Sequence, residues 1–418
     1  MIAVVWWVAG WPVGVDSAVY RSGALAVLHG EPLYERLAAT PDWSPDLPFA
    51  YPPFAALVFL PLAGLPAQLV WGVFGVLTAL ALGLVVRLTG PRPEVWWLIP
   101  LSAVLEPVWR TVGLGQVNVL LMALVVVDVL ALRGSRWSGV LIGLAAAVKL
   151  TPLVFVGHLL LTGRRADALR AVGAFAAASL VGFALLPADS WRFWSSAVLG
   201  ANDALSNGWW GNQSLHGLAH RLADVPATPL LLLLAVAVCA VVAALLVRTL
   251  HGRADHLAAL LVTAFCGLLV SPISWTHHWV WVVPLCCLAV RRGARWAAVA
   301  TAVLFSGGVP ALAPRGDELS WSPLESLAGN AYVLAALAAL VALTVSARSP
   351  RAIPPRIAPR YRRVIVDATL SAVDNGTEGR ALPADFPLRP TVYKRLARVS
   401  KVEVSGGVSV AGTWRGLR

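Results

Sequence analysis

Between residues 95 and 345 most of the apolar runs are too short to cross a membrane alone, although the chain is too apolar to be anything but a membrane protein. Val95–Leu105, Gly139–Val148, Leu153–Leu161, Leu257–Val270, Val280–Val290 and Trp296–Val309 each hold 9 to 14 residues. A hydrocarbon core about 30 Å thick takes a helix of about 20 residues. A helix that stops halfway leaves backbone groups unpaired, and these are tolerated only inside protein or against water. The pattern therefore predicts an all-α polytopic membrane protein whose half-length or re-entrant helices frame a water-filled cavity. Composition agrees, with 58% hydrophobic and 13% charged residues and a mean hydropathy of +0.73. Longer runs lie at Leu65–Val86, Val117–Leu132, Leu169–Leu186, Leu230–Val247 and Ala328–Val345.

Charge sets the expected orientation. The loops holding Arg87 and Arg92, Arg133 and Arg136, Arg164, Arg165 and Arg170, Arg248 and Arg253, and Arg291, Arg292 and Arg295 are basic and read as cytoplasmic. For all of them to share one side, residues 139–161 must enter and return as two half-length helices joined at Lys149-Leu150-Thr151-Pro152. By the same parity, Tyr51–Ala63 is a re-entrant or interfacial helix. The count is then about 12 crossings, with both termini inside and the polar motifs facing outward. Ile2–Ala9 is too short to span and lacks the basic leader of a signal peptide. Residues 16–46 read as a polar outer stretch.

The net charge of +12 resembles a nucleic-acid signal until it is located. From Ala347 onward there are 14 Lys and Arg against 5 Asp and Glu. Residues 1–346 thus form the transmembrane domain, and residues 347–418 a basic, Pro- and Arg-rich cytoplasmic tail read as disordered and facing anionic lipid. No nucleic-acid partner is expected. The four cysteines all sit in apolar runs and read as buried hydrophobes.

Five polar clusters converge on the expected outer face: Asp16 with Tyr20, Gly30 and Tyr34; Phe49-Ala50-Tyr51-Pro52-Pro53; Gly115-Gln116-Val117-Asn118, just after Glu106 and Arg110; Lys149 with Thr151 and Pro152; and Asn212-Gln213-Ser214-Leu215-His216 with Arg221, paired with Ser271-Pro272-Ile273-Ser274-Trp275-Thr276-His277-His278. Imidazoles, hydroxyls and indoles at the end of a membrane-length segment are costly unless they line a wet cavity.

In this order these motifs resemble those of glycosyltransferase family 87, membrane mannosyltransferases that take mannose from a polyprenyl phosphate. The resemblance covers residues 12–345. It implies the GT-C fold, an inverting reaction on the outer face of the plasma membrane, an α-1,2 linkage to a glycolipid or lipoglycan acceptor, and a carboxylate in the first outer loop as general base. Asp16 is the first acidic residue after the first apolar run and stands where that base is expected; otherwise it is a solvated loop aspartate.

Lys149 is the only lysine before Lys394. A lone ammonium between half-helices needs an anion, which the donor phosphate would supply; the competing reading is a lysine snorkelling to the interface. His277 and His278 read as donors to that phosphate or to sugar hydroxyls, or as belt residues. Adjacent histidines without a flanking carboxylate make a poor metal site, so neither metal nor cofactor is expected. Arg221 is a second candidate cation for phosphate. Tyr20, Tyr51, Gln116, Asn118, Asn212, Gln213, Ser274 and Trp275 are candidates for sugar or acceptor binding, the amides serving equally well as helix caps. The rival class is a secondary transporter or flippase of a lipid-linked sugar, which should show paired halves. Here the motifs are all different and lie on one side, which favours an enzyme.

Overall fold

The computed structural model describes Val8 and residues 13–90, 95–197, 208–222 and 228–348. The first apolar run apart from Val8, Arg92 of the first basic loop, and the tail beyond residue 348 lie outside the described residues. Among the described residues all regular structure is helical, and the only strand-like pairing is a single antiparallel bridge between Asn212 and Trp275.

Three helices are long and apolar enough to cross a membrane: Ala67–Thr89, Arg165–Leu185 and Leu230–Gly252. Two bent pairs reach that length together, Glu106–Leu114 with Asn118–Ala131 at 119° and Pro323–Gly329 with Ala331–Val345 at 78°. By length and composition this gives 3 spans among the described residues, or 5 if each bent pair counts as one. The all-helical class holds; the crossing number inferred from loop charge does not follow from helix length. Val117–Leu132, which reads as one run, is the second arm of a bend. The long helices turn leucines outward, with Leu80 66%, Leu180 67% and Leu233 64% exposed, as hydrocarbon surroundings favour.

The half-length pair lies where its sequence places it. Val140–Val148 stops at Lys149, whose backbone is extended at φ −150°, ψ 129°, and the chain resumes as a turn over Thr151–Leu153 and a helix over Val154–Leu161. Pro152 lacks the N–H that would continue the ladder to Val148, so the break is written into Lys-Leu-Thr-Pro.

The polar stretch after residue 16 differs from expectation, because its first half is the helix Val15–His29, closed by Gly30 in the left-handed region at φ 70°. Apart from Tyr20, its buried face, including Ser17, Ala18, Val19 and Ala24, is made mostly of small residues that give little amphipathic signal, and it packs against Pro53–Phe59 and Ala67–Thr89.

Val140–Val148 lies closely against Arg165–Leu185. A Cβ at Gly143 would stand 2.2 Å from the backbone oxygen of Ala171 and 2.8 Å from the Ala174 methyl. Backbone cannot yield as a flexible side chain can. Gly143→Ala should therefore destabilise the protein by about 3 kcal/mol, near the upper end for overpacking. A thermal midpoint in detergent that does not fall would contradict this packing.

Candidate active site

The site is built from the ends of helices, where backbone direction changes and side chains from distant parts of the chain meet. Gly115 ends Glu106–Leu114 in the left-handed region at φ 70°, and a Cβ there would lie 2.5 Å from the Ser17 hydroxyl. Only glycine fits, and the bend it permits sends Gln116 and Asn118 toward the first helix and the half-helix break.

Asp16 occupies the first turn of Val15–His29, where the helix dipole favours a carboxylate. It is half-buried and accepts a hydrogen bond from the Gln116 side chain. Tyr20, one turn on, donates to Gln116 Oε1 at 2.8 Å and lies 2.9 Å from the Tyr51 hydroxyl. Because Gln116 Oε1 accepts and a carboxylate has no proton to give, Gln116 Nε2 must be the donor to Asp16. The order Tyr51, Tyr20, Gln116, Asp16 is then a directed chain that fixes the carboxylate. Burial raises the Asp16 carboxyl above the usual aspartate range, opposed by the Gln116 hydrogen bond and the charges of Lys149 and Arg110.

Across from this chain, Lys149 Nζ donates to Asn118 Oδ1 at 3.0 Å and meets His278 Nε2 at 3.2 Å, while lying over the Tyr51 ring at 5.6 Å. A charged ammonium can only donate, so His278 accepts at Nε2 and carries its proton on Nδ1. Asn118 Nδ2 donates to the His277 carbonyl at 3.1 Å, and Thr111 to the same oxygen at 3.2 Å. His277 is 6% exposed, and neither of its ring nitrogens has a hydrogen-bond partner among the described residues. Its ring meets that of His278 edge-on at 4.8 Å.

An apolar cavity of about 180 Å³ opens beside His278 and Asn118 and runs between Leu121, Val125, Phe155 and Trp281. Asp16 does not line it. His278 thus borders the cavity and meets Lys149, whose charge acts on Asp16.

The remaining candidates form a second set. Gln213 N–H donates to the Ser274 carbonyl at 2.8 Å and Thr276 N–H to that of Gly211 at 3.0 Å, clasping the two motif segments around the Asn212–Trp275 bridge. Asn212 donates to the Pro272 carbonyl at 3.0 Å, and Gln213 donates to those of Trp210 and Gly329, each at 2.7 Å. Ser274 donates to the Leu268 carbonyl at 2.7 Å, and Trp275 packs on Trp209 at 5.2 Å. Arg221 is bonded to Asn330 Oδ1 at 2.6 and 2.9 Å and to the carbonyls of Trp209 and Asn212 at 2.9 and 2.8 Å. These polar atoms are committed to the protein's own frame, and the structure does not join them to Asp16 or Lys149 by any hydrogen bond.

Sequence reasoning named Glu106 without giving it a role. Its carboxylate is 3% exposed, accepts from Thr276 Oγ1 at 2.6 Å and from Tyr332 at 3.4 Å, and pairs with Arg110 at 3.4 Å. It ties the histidine segment to the bend. The signal was an acidic residue opening a helix in an otherwise apolar region. Among the described residues no three His, Cys, Asp or Glu side chains gather as a metal-holding set.

The model of glycosyltransferase family 87 matches residues 49–272. A polyprenol-phosphate-mannose-dependent α-(1-2)-phosphatidylinositol mannoside mannosyltransferase of Mycolicibacterium smegmatis is 35% identical over 384 residues, 82% of this chain and 87% of the relative. A polyprenol-phosphate-mannose-dependent α-(1-2)-phosphatidylinositol pentamannoside mannosyltransferase of Mycobacterium tuberculosis is 38% identical over 374 residues, 82% of this chain and 84% of the relative. No solved structure matches the chain. The protein is thus a membrane glycosyltransferase. More narrowly, it belongs to glycosyltransferase family 87.

Proposed function

We propose that the protein transfers mannose from a polyprenyl-phosphate donor to a hydroxyl of a phosphatidylinositol mannoside or related lipoglycan, with inversion to an α-1,2 linkage, on the outer face of the plasma membrane. The observation that carries this reading is the Lys149–His278 pair, whose lysine acts on the Asp16 carboxylate and whose histidine borders an apolar cavity. The names of the relatives supply the sugar, the lipid carrier and the acceptor class.

In this reading Asp16 takes the proton of the acceptor hydroxyl as its oxygen attacks the anomeric carbon, and the bond from that carbon to the phosphate oxygen breaks on the opposite face. The electron pair leaves with the polyprenyl phosphate. A base whose pKa is raised toward the working pH accepts a proton more readily than an ordinary aspartate. Lys149 and His278 face the leaving phosphate, and the unpaired ring of His277 is a further donor held in reserve beside them. Fixed cationic and hydrogen-bonding groups of this kind stabilise charge as it develops, without reorganising. The isoprenoid tail lies in the cavity between Leu121, Val125, Phe155 and Trp281. Tyr20, Tyr51, Gln116 and Asn118 orient the base and the lysine and border the sugar. Arg221, Asn212, Gln213 and Ser274 hold the frame, and Trp275 braces it against Trp209.

The test is transfer of radiolabelled mannose from polyprenyl-phosphate mannose to glycolipids in membranes carrying the protein, with and without EDTA. Transfer that survives chelation is expected, because protein groups neutralise the phosphate. A folded, membrane-inserted protein that transfers no mannose would overturn the donor assignment. Transfer abolished by chelation and restored by a divalent cation would overturn the metal-free step.

A further inference from the structure

Beside the base lies a cluster that the transfer chemistry does not use. The Arg110 guanidinium sits over the rings of Trp209 and Trp210 at 5.6 and 5.2 Å, and that of Arg315 over Trp210 at 4.5 Å. Trp210 is 6% exposed, whereas Trp209 presents 38% of its surface. The charge of Arg110 acts on Asp16, which puts the cluster within electrostatic reach of the base.

We propose that this stack seats the acceptor: a pyranose ring lies against the exposed part of Trp209, and the acceptor's phosphodiester takes the edges of Arg110 and Arg315. The choice of an anionic glycolipid rests on the reading of the chain as a lipid-linked mannosyltransferase; the stack itself does not. Stacking on an indole fixes the plane of a guanidinium while leaving its in-plane N–H groups free to fork onto an anion. Arg110 has its one carboxylate contact at 3.4 Å, to a Glu106 oxygen that Thr276 already holds at 2.6 Å, so its charge is weakly neutralised. Arg315 is exposed. Glu318 accepts from the backbone N–H of Trp210 at 3.5 Å. Interfacial anchoring accounts for indoles at a membrane edge. It does not account for two arginines stacked on them, one of which acts electrostatically on the base.

The test uses the full chain in phosphatidylcholine nanodiscs and titration calorimetry with two probes, a phosphatidylinositol dimannoside and an uncharged alkyl dimannoside. Arg110→Gln should weaken the anionic probe about tenfold and Arg315→Gln about threefold, with changes under about twofold for the uncharged probe. Trp209→Ala should weaken both probes, each by roughly fivefold. Beyond its stacking on Trp210, Arg315 makes no hydrogen bond or ion pair among the described residues, so its variant keeps the test valid if Arg110→Gln misfolds. Equal losses on both probes for the arginine variants, or no loss for any of the three variants, would overturn the seat. Binding is read without the donor, so the two readings separate. A wild type that binds the anionic probe with arginine dependence yet transfers no mannose sinks the donor assignment and leaves the seat standing. Transfer that is indifferent to Arg110→Gln and Arg315→Gln does the reverse.

Discussion

Asp16→Asn should lower transfer by about 10³-fold, within the range a positioned general base contributes, while donor KM changes by less than about twofold. Asparagine keeps the shape, and its carbonyl still accepts from Gln116, so the chain from Tyr51 through Tyr20 survives. What disappears is a site for the acceptor's proton. Two further readouts separate this from a structural role. Burial raises the carboxyl, so its ionised form is less favoured in the folded protein than in water. A neutral asparagine should therefore leave the thermal midpoint at neutral pH unchanged or higher, as happens when function holds a group at a cost in stability. The base works deprotonated, so wild-type kcat/KM should fall as pH drops through a pKa above the usual aspartate value. The residual activity of Asp16→Asn should lack that acid limb. Residual transfer above about a tenth of wild type, or an unchanged acid limb, would show that another group takes the proton.

The two ends of this pathway were not equally legible in the sequence. The half-helix break at Lys149 could be read because three independent constraints meet there: runs too short to span, loop charges that must share one side, and a proline three residues after the only lysine of the membrane region. The structure places the break between Val140–Val148 and Thr151–Leu153. The helix carrying Asp16 was hidden, because a helix buried mostly through serine, alanine and glycine shows no strong apolar period and its acidic flanks read as loop. Amides and arginines were the least decidable. Gln116 and Gln213 look alike in the sequence, yet Gln116 contacts the base while Gln213 bonds to the Trp210 and Gly329 carbonyls. Arg221 and Arg110 both lie over indoles, but Arg221 is also bonded to Asn330 and two carbonyls, whereas the contact of Arg110 with Glu106 is a long 3.4 Å. Which atoms a donor meets depends on how distant segments cross, and spacing along the chain carries no information about that.

Lys149→Met should reduce transfer by about 100-fold, the equivalent of about 2.7 kcal/mol, within the range for losing a hydrogen bond to a charged group. Methionine matches the length and apolar stem of lysine, so the half-helix junction keeps its packing and the loss isolates the ammonium. Two of the three ammonium donors are engaged, by Asn118 at 3.0 Å and His278 at 3.2 Å. The third is available to an anion. The loss should divide between the two kinetic constants. The phosphate is already charged in the bound donor, so its contact with Lys149 contributes to donor KM. Charge grows on the phosphate as the glycosidic bond breaks, so part of the contact appears only in the transition state and lowers kcat. Acceptor KM should stay within about twofold, because the acceptor hydroxyl approaches from the Asp16 side. Lys149→Arg, which keeps the charge but replaces a compact ammonium with a planar fork, should recover part of the donor KM and little of kcat. A lysine that merely snorkels to the interface would predict something else: methionine there would leave both constants near wild type, and arginine would be indistinguishable from lysine.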